Sequence, residues 1–158
     1  MSTAKAKSPG RATRSQPARK GSPFAETQPK PCSRQTFVVS EQREEDFKTG
    51  LRSYAKYRDL GISRATDGMV QAHVIRFVPP CQPEVVSKRH YHDVDFQMIY
   101  VLKGWIKTKL EGQGEMVMRA GSCWTQPPRI EHAVLDYSDD CEVLEIVLPA
   151  DFRTVELE

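Results

Sequence analysis

The stretch RHYHDVDFQMIYVLKG, residues 89–104, places two of the four histidines of the chain one residue apart, just ahead of an apolar run. Alternate residues of a β-strand project from the same face, so an extended backbone would point the imidazoles of His90 and His92 in one direction. Two such imidazoles are suitable metal ligands, and the alternative is a surface pair without a function. Gln97 heads an apolar face of the next strand, where a buried amide needs a hydrogen-bond partner or a metal.

The other two histidines lie in strand-like runs on either side of this stretch. His132 begins HAVLDY directly after the turn QPPRIE, which favours a side chain aimed into a cavity, with a strand-end histidine as the alternative. His73 lies in QAHVIRF on an apolar face, which is typical of a packed histidine, with substrate contact as the alternative. The change of alternation between His92 and Gln97 predicts a turn or bulge between them.

The pattern after residue 69 predicts β-structure throughout, in seven or eight short strands separated by Gly, Pro and Asp. Regularly spaced strands of this kind indicate an all-β sandwich or barrel. Alternating apolar residues such as Leu144 and Ile146 are assigned to the core. The predicted strands are 69–77, 97–104, 105–112, 115–121, 122–127, 132–137 and 141–149, with an edge strand at 54–61.

The N-terminal 34 residues differ from the rest in composition. They carry eight of the 23 basic residues and one of the 21 acidic residues, so residues 35–158 carry 15 basic and 20 acidic residues, a net charge of −5. Residues 1–34 are predicted to be a disordered basic tail. The alternatives are an upstream mis-assigned start, an arm for acidic partners and a targeting peptide. Residues 35–158 are the predicted domain, opening with a strand at 35–40 and a short helix at 41–47 capped by Ser40.

Charge and hydropathy argue against nucleic-acid binding and against membrane insertion for the predicted domain. Its acidic balance gives no support to nucleic-acid binding. No apolar run approaches the roughly 20 residues of a membrane span, and the N-terminus has no apolar signal core. The four cysteines, Cys32, Cys81, Cys123 and Cys141, have no C-x-x-C spacing and are interpreted as free thiols of a reducing compartment, so a cytoplasmic location is expected.

Two motifs together resemble those of the cupin superfamily, whose fold is a small β-barrel of two packed sheets, a double-stranded β-helix or jelly roll. The first reads H-x-H-x4-Q-x6-G, from His90 to Gly104, and the second reads G-x5-P-x4-H, from Gly121 to His132. The resemblance covers residues 69–149, and the stretch also looks like the short single-domain bacterial cupins.

The resemblance implies one divalent metal ion, Fe, Mn, Ni or Zn, bound inside the barrel by His90, His92, Gln97 and His132. Gln97 stands where cupins usually carry Glu, so the set lacks a ligating carboxylate and we expect lower metal affinity and a slight preference for Lewis-acid chemistry. Arg129 stands where the second motif usually carries Gly, so this turn must accept a positive φ or change shape.

The remaining polar residues near the motifs are candidates for other roles. Asp95 and Arg129 are candidate catalytic residues, and His73 and Arg89 are candidate substrate contacts; for each, a solvated or packed side chain is the alternative.

The function that the resemblance implies is a metal-dependent enzyme acting on a small molecule, of dioxygenase, isomerase or ring-opening type. The alternative is a non-catalytic cupin that binds a metal or small molecule, or a sensor, and a third reading is an interaction protein that uses its basic tail. A homodimer is expected, formed through the outer stripe Met98, Tyr100 and Leu102 or through an exchanged strand 35–40.

Overall fold

The computed structural model of the protein describes residues 35–50 and 52–158, and the predicted tail at 1–34 lies outside them. Within the described residues the chain forms eleven strands, two four-residue helices and one 3₁₀ turn at Glu44–Asp46. The strands are β1 Lys48–Thr49, β2 Ala55–Asp59, β3 Gln71–Phe77, β4 His90–Asp93, β5 Phe96–Lys103, β6 Trp105–Leu110, β7 Gly114–Arg119, β8 Cys123–Thr125, β9 His132–Tyr137, β10 Glu142–Leu148 and β11 Arg153–Glu156. The helices are α1 Ile62–Ala65 and α2 Pro83–Val86.

The strands form two antiparallel sheets. The six-stranded sheet has the order β1-β2-β3-β10-β5-β8, and the five-stranded sheet has the order β11-β4-β9-β6-β7. The chain passes between the sheets at β3–β4, β4–β5, β5–β6, β7–β8, β8–β9, β9–β10 and β10–β11, so their inner faces enclose one core. This confirms the predicted all-β barrel.

The inner face of each sheet is set by the alternation along its central strands. In β5 the buried positions alternate and include Val101, and in β10 they are Val143 and Val147. Leu144 and Ile146 therefore lie on the opposite face of β10 and are only partly buried, so their assignment to the core is wrong. Because β10 is apolar on both faces, alternation alone did not show which face turns inward.

Residues 35–40 do not form the predicted strand. Phe37 is 93% exposed and Val39 is 67% exposed, and within the described residues this segment makes one hydrogen bond to another backbone group, from Thr36 N to Ala65 O. β-branched residues form a strand only where a neighbouring strand can pair with them. The short strand β1 occupies the edge of β2, so that edge is not available to this segment.

The predicted helix at 41–47 is reduced to the 3₁₀ turn Glu44–Asp46. Ser40 is not its cap, because the carbonyl and hydroxyl oxygens of Ser40 accept hydrogen bonds from Nη2 of Arg58, at 2.8 and 2.9 Å. Arg76 lies with its guanidinium 3.7 Å from the centre of the Phe47 ring and donates to Glu44 at 2.6 Å. Contacts with the six-stranded sheet therefore fix this segment more than its helix propensity does.

The turn between β5 and β6 brings two crossings of the barrel into contact. Gly104 has φ +66°, and a Cβ built there would collide with the Ser138 hydroxyl and come within 3.2 Å of Cα of Cys141. Only glycine combines this φ with such a close approach. The glycine of the first motif therefore has a steric reason that its spacing alone did not reveal.

Two further observations bear on the sequence analysis. Cys81, Cys123 and Cys141 are free thiols, as predicted, and Cys32 lies outside the described residues. Within residues 35–50 and 52–158, every helix is too short and too polar to traverse a bilayer.

Candidate metal centre

Three histidines from two adjacent strands of the five-stranded sheet meet inside the barrel. His90 and His92 are alternate residues of β4 and share a face, and the first residue of β9, His132, pairs with His90 across the sheet. Their potential ligand atoms lie within 4.8 Å of one another, and the ring centres of His90 and His132 are 4.3 Å apart. Residues separated by up to 42 positions are thus brought to one point by strand pairing, as the two motifs implied.

Each imidazole is oriented by a hydrogen bond at Nδ1. His90 and His132 each lie 2.9 Å from the carbonyl oxygen two residues earlier, and His92 lies 2.9 Å from the hydroxyl of Thr154 on β11. A carbonyl oxygen can only accept, so Nδ1 of His90 and His132 carries the proton and Nε2 keeps its lone pair. This is the tautomer in which an imidazole binds a metal through Nε2.

Burial keeps the three imidazoles neutral. Burial is the largest cause of the lowered pKa in all three, and the pKa of His90, His92 and His132 falls to about 4. The repulsion that each would feel from a charged neighbour lowers the pKa further. At neutral pH the group therefore presents lone pairs to a ligand, and no proton has to be removed before a cation binds.

Gln97 is 2% exposed and has both ends of its amide occupied. Its Nε2 donates to Oε1 of Glu145 at 2.7 Å, and its Oε1 accepts from Nε2 of Gln126 at 3.1 Å. Because a carboxylate can only accept, Glu145 fixes which end of the Gln97 amide is nitrogen and which is oxygen.

Gln126 links this network to the histidines. It is 4% exposed, its Oε1 accepts from Nε1 of Trp124 at 3.2 Å, and its Nε2 also donates to Nε2 of His132 at 3.1 Å. The indole is donor only, which fixes the orientation of the Gln126 amide. A metal ion on Nε2 of His132 would therefore have to displace this hydrogen bond.

Glu145 supplies a carboxylate that the sequence analysis did not identify. It lies on β10, its side chain is 12% exposed, and its Oε2 lies 2.6 Å from Nε2 of His73 on β3. Burial acts to raise the pKa of Glu145, but the hydrogen bond and charge of His73, the charge of His92 and the Gln97 amide together lower it. The cavity thus holds an ionised carboxylate one hydrogen bond away from Gln97.

A sequence signal existed for Glu145 but not for Gln126. Glu145 is the single acid between Val143 and Val147, two apolar residues of the same alternation, and an acid at such a position is expected to be buried with a partner. Gln126 stands in the turn TQPP, where a polar residue is ordinary. Its role becomes visible only when β8 pairs with β5 beside Gln97.

The histidines and Gln97 open into a cavity of about 130 Å³. Its walls are mainly apolar and aromatic side chains, among them Tyr54, Phe77, Ile99, Ile106 and Trp124. Two polar side chains that the sequence analysis did not select, Arg52 and Thr108, also line it. A small apolar space with few polar groups at its wall is typical of sites for small molecules.

Three of the four other candidate residues, Asp95, Arg89 and Arg129, have exposed side chains outside the cavity lining. Asp95 is exposed in the turn between β4 and β5, away from the cavity lining, so a strand parity shared with Gln97 does not bring it to the site. This turn is the predicted change of direction after His92. Arg89 is also exposed, and its guanidinium pairs with Glu131.

Arg129 and His73 occupy more constrained positions. Arg129 has φ +62°, so it accepts the left-handed conformation expected from its place in the motif, and its exposed side chain donates from Nε to Asp93 at 2.9 Å. His73 is outside the cavity lining, but it holds Glu145, which is part of that lining. The structure therefore connects His73 to the site through Glu145.

Comparison with known proteins agrees with this architecture. Residues 81–147 match the family model of the cupin domain, Cupin_2. KdgF from Halomonas sp. superposes with a TM-score of 0.54 at 17% identity, covering 72% of this chain and 94% of that one. The polyketide cyclase RemF from Streptomyces resistomycificus gives a TM-score of 0.58 at 16% identity, covering 77% and 87%. No curated protein matches the chain.

A longer structural relative contains metal. Oxalate decarboxylase from Bacillus subtilis, described with Mn(II) centres, gives a TM-score of 0.54 at 15% identity, covering 70% of this chain and 30% of that one. The chain thus spans about a third of that enzyme. At these identities the likeness concerns the fold.

The fold and the buried histidines define a small β-barrel of the cupin type, with a three-histidine group that could hold a metal. Residues 81–147 match the cupin domain model and the barrel superposes on cupin folds, which confirms the resemblance inferred from the two histidine motifs.

Proposed function

We propose that this domain binds one divalent metal ion through Nε2 of His90, His92 and His132, with Oε1 of Gln97 as a fourth ligand. The observation that carries the proposal is the meeting of three neutral imidazoles within 4.8 Å, each oriented through Nδ1. Gln97 supports the proposal because its amide is oriented with Oε1 as the acceptor. In the structure this oxygen accepts a hydrogen bond from Nε2 of Gln126.

Nitrogen and neutral oxygen donors in this combination suit Fe, Mn, Ni or Zn. The charge of such a site would be +2 from the metal and neutral ligands alone. Glu145, held against Gln97, brings a negative charge next to the ligands without binding the metal itself. This offsets part of the expected loss of affinity at a site without a ligating carboxylate.

We propose further that the domain is an enzyme for a small molecule, of dioxygenase, isomerase or ring-opening type. A bound divalent metal would supply Lewis-acid polarisation of a carbonyl or hydroxyl group of the substrate. The residues of the chain would position the substrate in the apolar cavity and exclude bulk water.

A second candidate function is non-catalytic binding of a small molecule, and one observation favours it. Gln126 already satisfies Nε2 of His132, so the histidine group has a hydrogen-bonded arrangement that needs no metal. In that case the cavity would bind its ligand as a carrier or sensor.

Metal analysis separates the two functions. We expect the full chain, purified without added metal, to carry one equivalent of a transition metal by mass spectrometry, and His90→Ala and His132→Ala to lose it. Asp95→Ala is the matched control, because it removes an exposed side chain of the turn after β4 that is outside the cavity lining. Full metal content in all three variants would contradict the proposed ligands. Oxygen uptake with catechols, flavonols, diketones and thiols then tests the dioxygenase type.

We also propose a homodimer formed through the outer stripe Met98, Tyr100 and Leu102. The stripe lies on the outer face of β5, where Tyr100 is 37% exposed and Leu102 is 45% exposed. The alternative route through an exchanged strand at 35–40 is not proposed, because that segment forms no strand.

A further inference from the structure

Arg52 places its guanidinium group at the wall of the cavity. Its side chain is 12% exposed and its Nη1 donates to the carboxylate of Glu156 on β11. Its Nη2 is buried and has no hydrogen-bond partner among residues 35–50 and 52–158. Leaving a charged donor without a partner is unfavourable, so this nitrogen is available to an acceptor that enters the cavity.

Thr108 is a second buried polar side chain at the cavity, contributed by the five-stranded sheet. It lies on β6, is 5% exposed, and its hydroxyl is buried without a partner in the part of the chain that the structure describes. Arg52 and Thr108 both line the cavity of the three histidines. Three other polar side chains at the cavity, Glu145, Gln97 and Gln126, already hydrogen bond one another or their neighbours.

The walls of the cavity determine which kind of ligand body would fit. They are mainly apolar and include aromatic side chains, and a cavity of about 130 Å³ is close in size to an apolar cavity of roughly 150 Å³ that accepts one benzene ring. Guanidinium binds a carboxylate through charge-assisted hydrogen bonds, which exceed neutral ones in strength. Among the described residues, the one carboxylate that lines this cavity belongs to Glu145, which is held by His73 and Gln97 on the six-stranded sheet.

We propose that the cavity binds a small carboxylic acid with an apolar or aromatic body, whose carboxylate pairs with Nη2 of Arg52 and which also hydrogen bonds the hydroxyl of Thr108. This inference deepens the proposed function, on which it rests for identifying the ligand as a substrate. The binding itself requires Arg52 and Thr108 and does not require the metal.

Benzoate and benzamide form a matched pair of probes, since they share a shape and differ in charge. Titration calorimetry on the full chain, metal-free and loaded with Mn²⁺, should show benzoate binding at least about tenfold more tightly than benzamide. Arg52→Met should remove this preference while leaving the benzamide affinity in place. Equal affinities in the unaltered protein, or a preference kept by Arg52→Met, would overturn the proposal.

Two further variants keep the test independent of folding defects in Arg52→Met. Glu156→Gln removes the ion-pair partner and leaves the guanidinium, so the benzoate preference should persist; its loss would mean that Arg52 acts only through that ion pair, against the proposal. Thr108→Val deletes a hydroxyl that has no partner among the described residues, and it should weaken benzoate binding several-fold without lowering stability. Unchanged binding would remove Thr108 from the site.

Metal content measured on the same samples separates this inference from the proposed function. A protein that prefers benzoate but takes up no metal when Mn²⁺ is added would retain the carboxylate site and contradict the metal centre. A protein that carries stoichiometric metal and shows no preference would retain the metal centre and contradict the carboxylate site.

Discussion

At the scale of single residues, the main feature of the site is the contact between the amide of Gln97 and the carboxylate of Glu145. Gln97 leaves the predicted ligand set without a carboxylate, but Oε1 of Glu145, on the neighbouring strand, lies 2.7 Å from Nε2 of Gln97. The two residues are 48 positions apart, and nothing in the spacing of the motifs connects them. The grouping of the three histidines was predictable because the two motifs place them at characteristic spacings, whereas the contact between Gln97 and Glu145 arises only from the pairing of β5 with β10.

Reversing the pair tests this relationship. Gln97→Glu places a second carboxylate against Glu145, so we expect a loss of about 2 kcal/mol in unfolding free energy, since like charges at this distance cannot both stay ionised. Adding Glu145→Gln should recover much of that loss, with a coupling of roughly 1–3 kcal/mol. Urea unfolding of the four proteins of the cycle measures it, and strictly additive effects would contradict the pairing.

The buried imidazoles predict a dependence of stability on pH. In the unfolded chain they bind protons near their ordinary pKa of about 6.5, whereas in the fold the pKa of His90, His92 and His132 is about 4. Between these values the unfolded state binds more protons, so stability present above pH 6.5 is lost as the pH falls towards 4. We expect the metal-free protein to lose at least about 3 kcal/mol between pH 7 and 4.5.

Urea unfolding at several pH values measures this loss. The control is His92→Gln, which removes one of the three titrating groups and should reduce the difference by roughly a third. A difference that stays the same in this variant would mean that other groups carry the dependence.

At the scale of elements, the last strand contributes to the site in a way that its sequence did not indicate. β11 reads RTVE, a short run with charged ends, and it was not predicted as a strand. It pairs with β4 in a register that sets Thr154 opposite His92, whose Nδ1 is 2.9 Å from the hydroxyl. Short strands whose partners are distant in sequence carry little periodic signal, which explains the omission.

Thr154→Val removes this hydroxyl and keeps the shape of the side chain. We expect metal affinity to fall by about tenfold, since a residue that orients a ligating imidazole typically contributes a factor of 10 to 100. Thr154→Ser retains the hydroxyl and should bind metal like the unaltered protein. Competition with a chromogenic chelator measures the affinities, and equal values for the Val and Ser variants would rule out this role for Thr154.

The turn before β9 holds a side chain where the motif usually has none. Arg129 adopts φ +62°, which is unfavourable for a residue with a Cβ, and its exposed pair with Asp93 offsets little of this. We expect Arg129→Gly to be more stable than Arg129→Ala by about 1 kcal/mol, because both lose the ion pair and only glycine relieves the backbone. Thermal unfolding of the two variants checks this, and a more stable Ala variant would show that the turn is unstrained.

At the scale of the whole molecule, alternation was sufficient to predict an all-β sandwich or barrel, because antiparallel strands with one buried face leave a period of two in the sequence. The resemblance of the two motifs to cupins then selected the barrel. Alternation failed where both faces of a strand are apolar, as at Leu144 and Ile146. It also failed at residues 35–40, where a β-type sequence lies beside an edge already taken by β1. The cavity could not be foreseen, since Arg52 precedes β2 in an irregular segment with no pattern of its own.

The outer stripe predicts how copies of the chain associate. If Met98, Tyr100 and Leu102 form the proposed interface, sedimentation of the full chain should give twice the monomer mass, and Leu102→Glu should give the monomer, because a charge at the centre of an apolar interface is unfavourable. Val117→Glu is the control, as Val117 is 47% exposed on the other sheet. A monomeric unaltered protein, or equal effects of the two variants, would count against this interface.

The close approach at Gly104 has a consequence for how this barrel can vary. There the link from β5 to β6 touches the link from β9 to β10, with Cα of Cys141 only 3.2 Å from where a side chain would begin. The two links run side by side from one sheet to the other. A side chain at position 104 would push the two sheets apart at this link. Changes in the shape of the interior are therefore expected from substitutions along the strands.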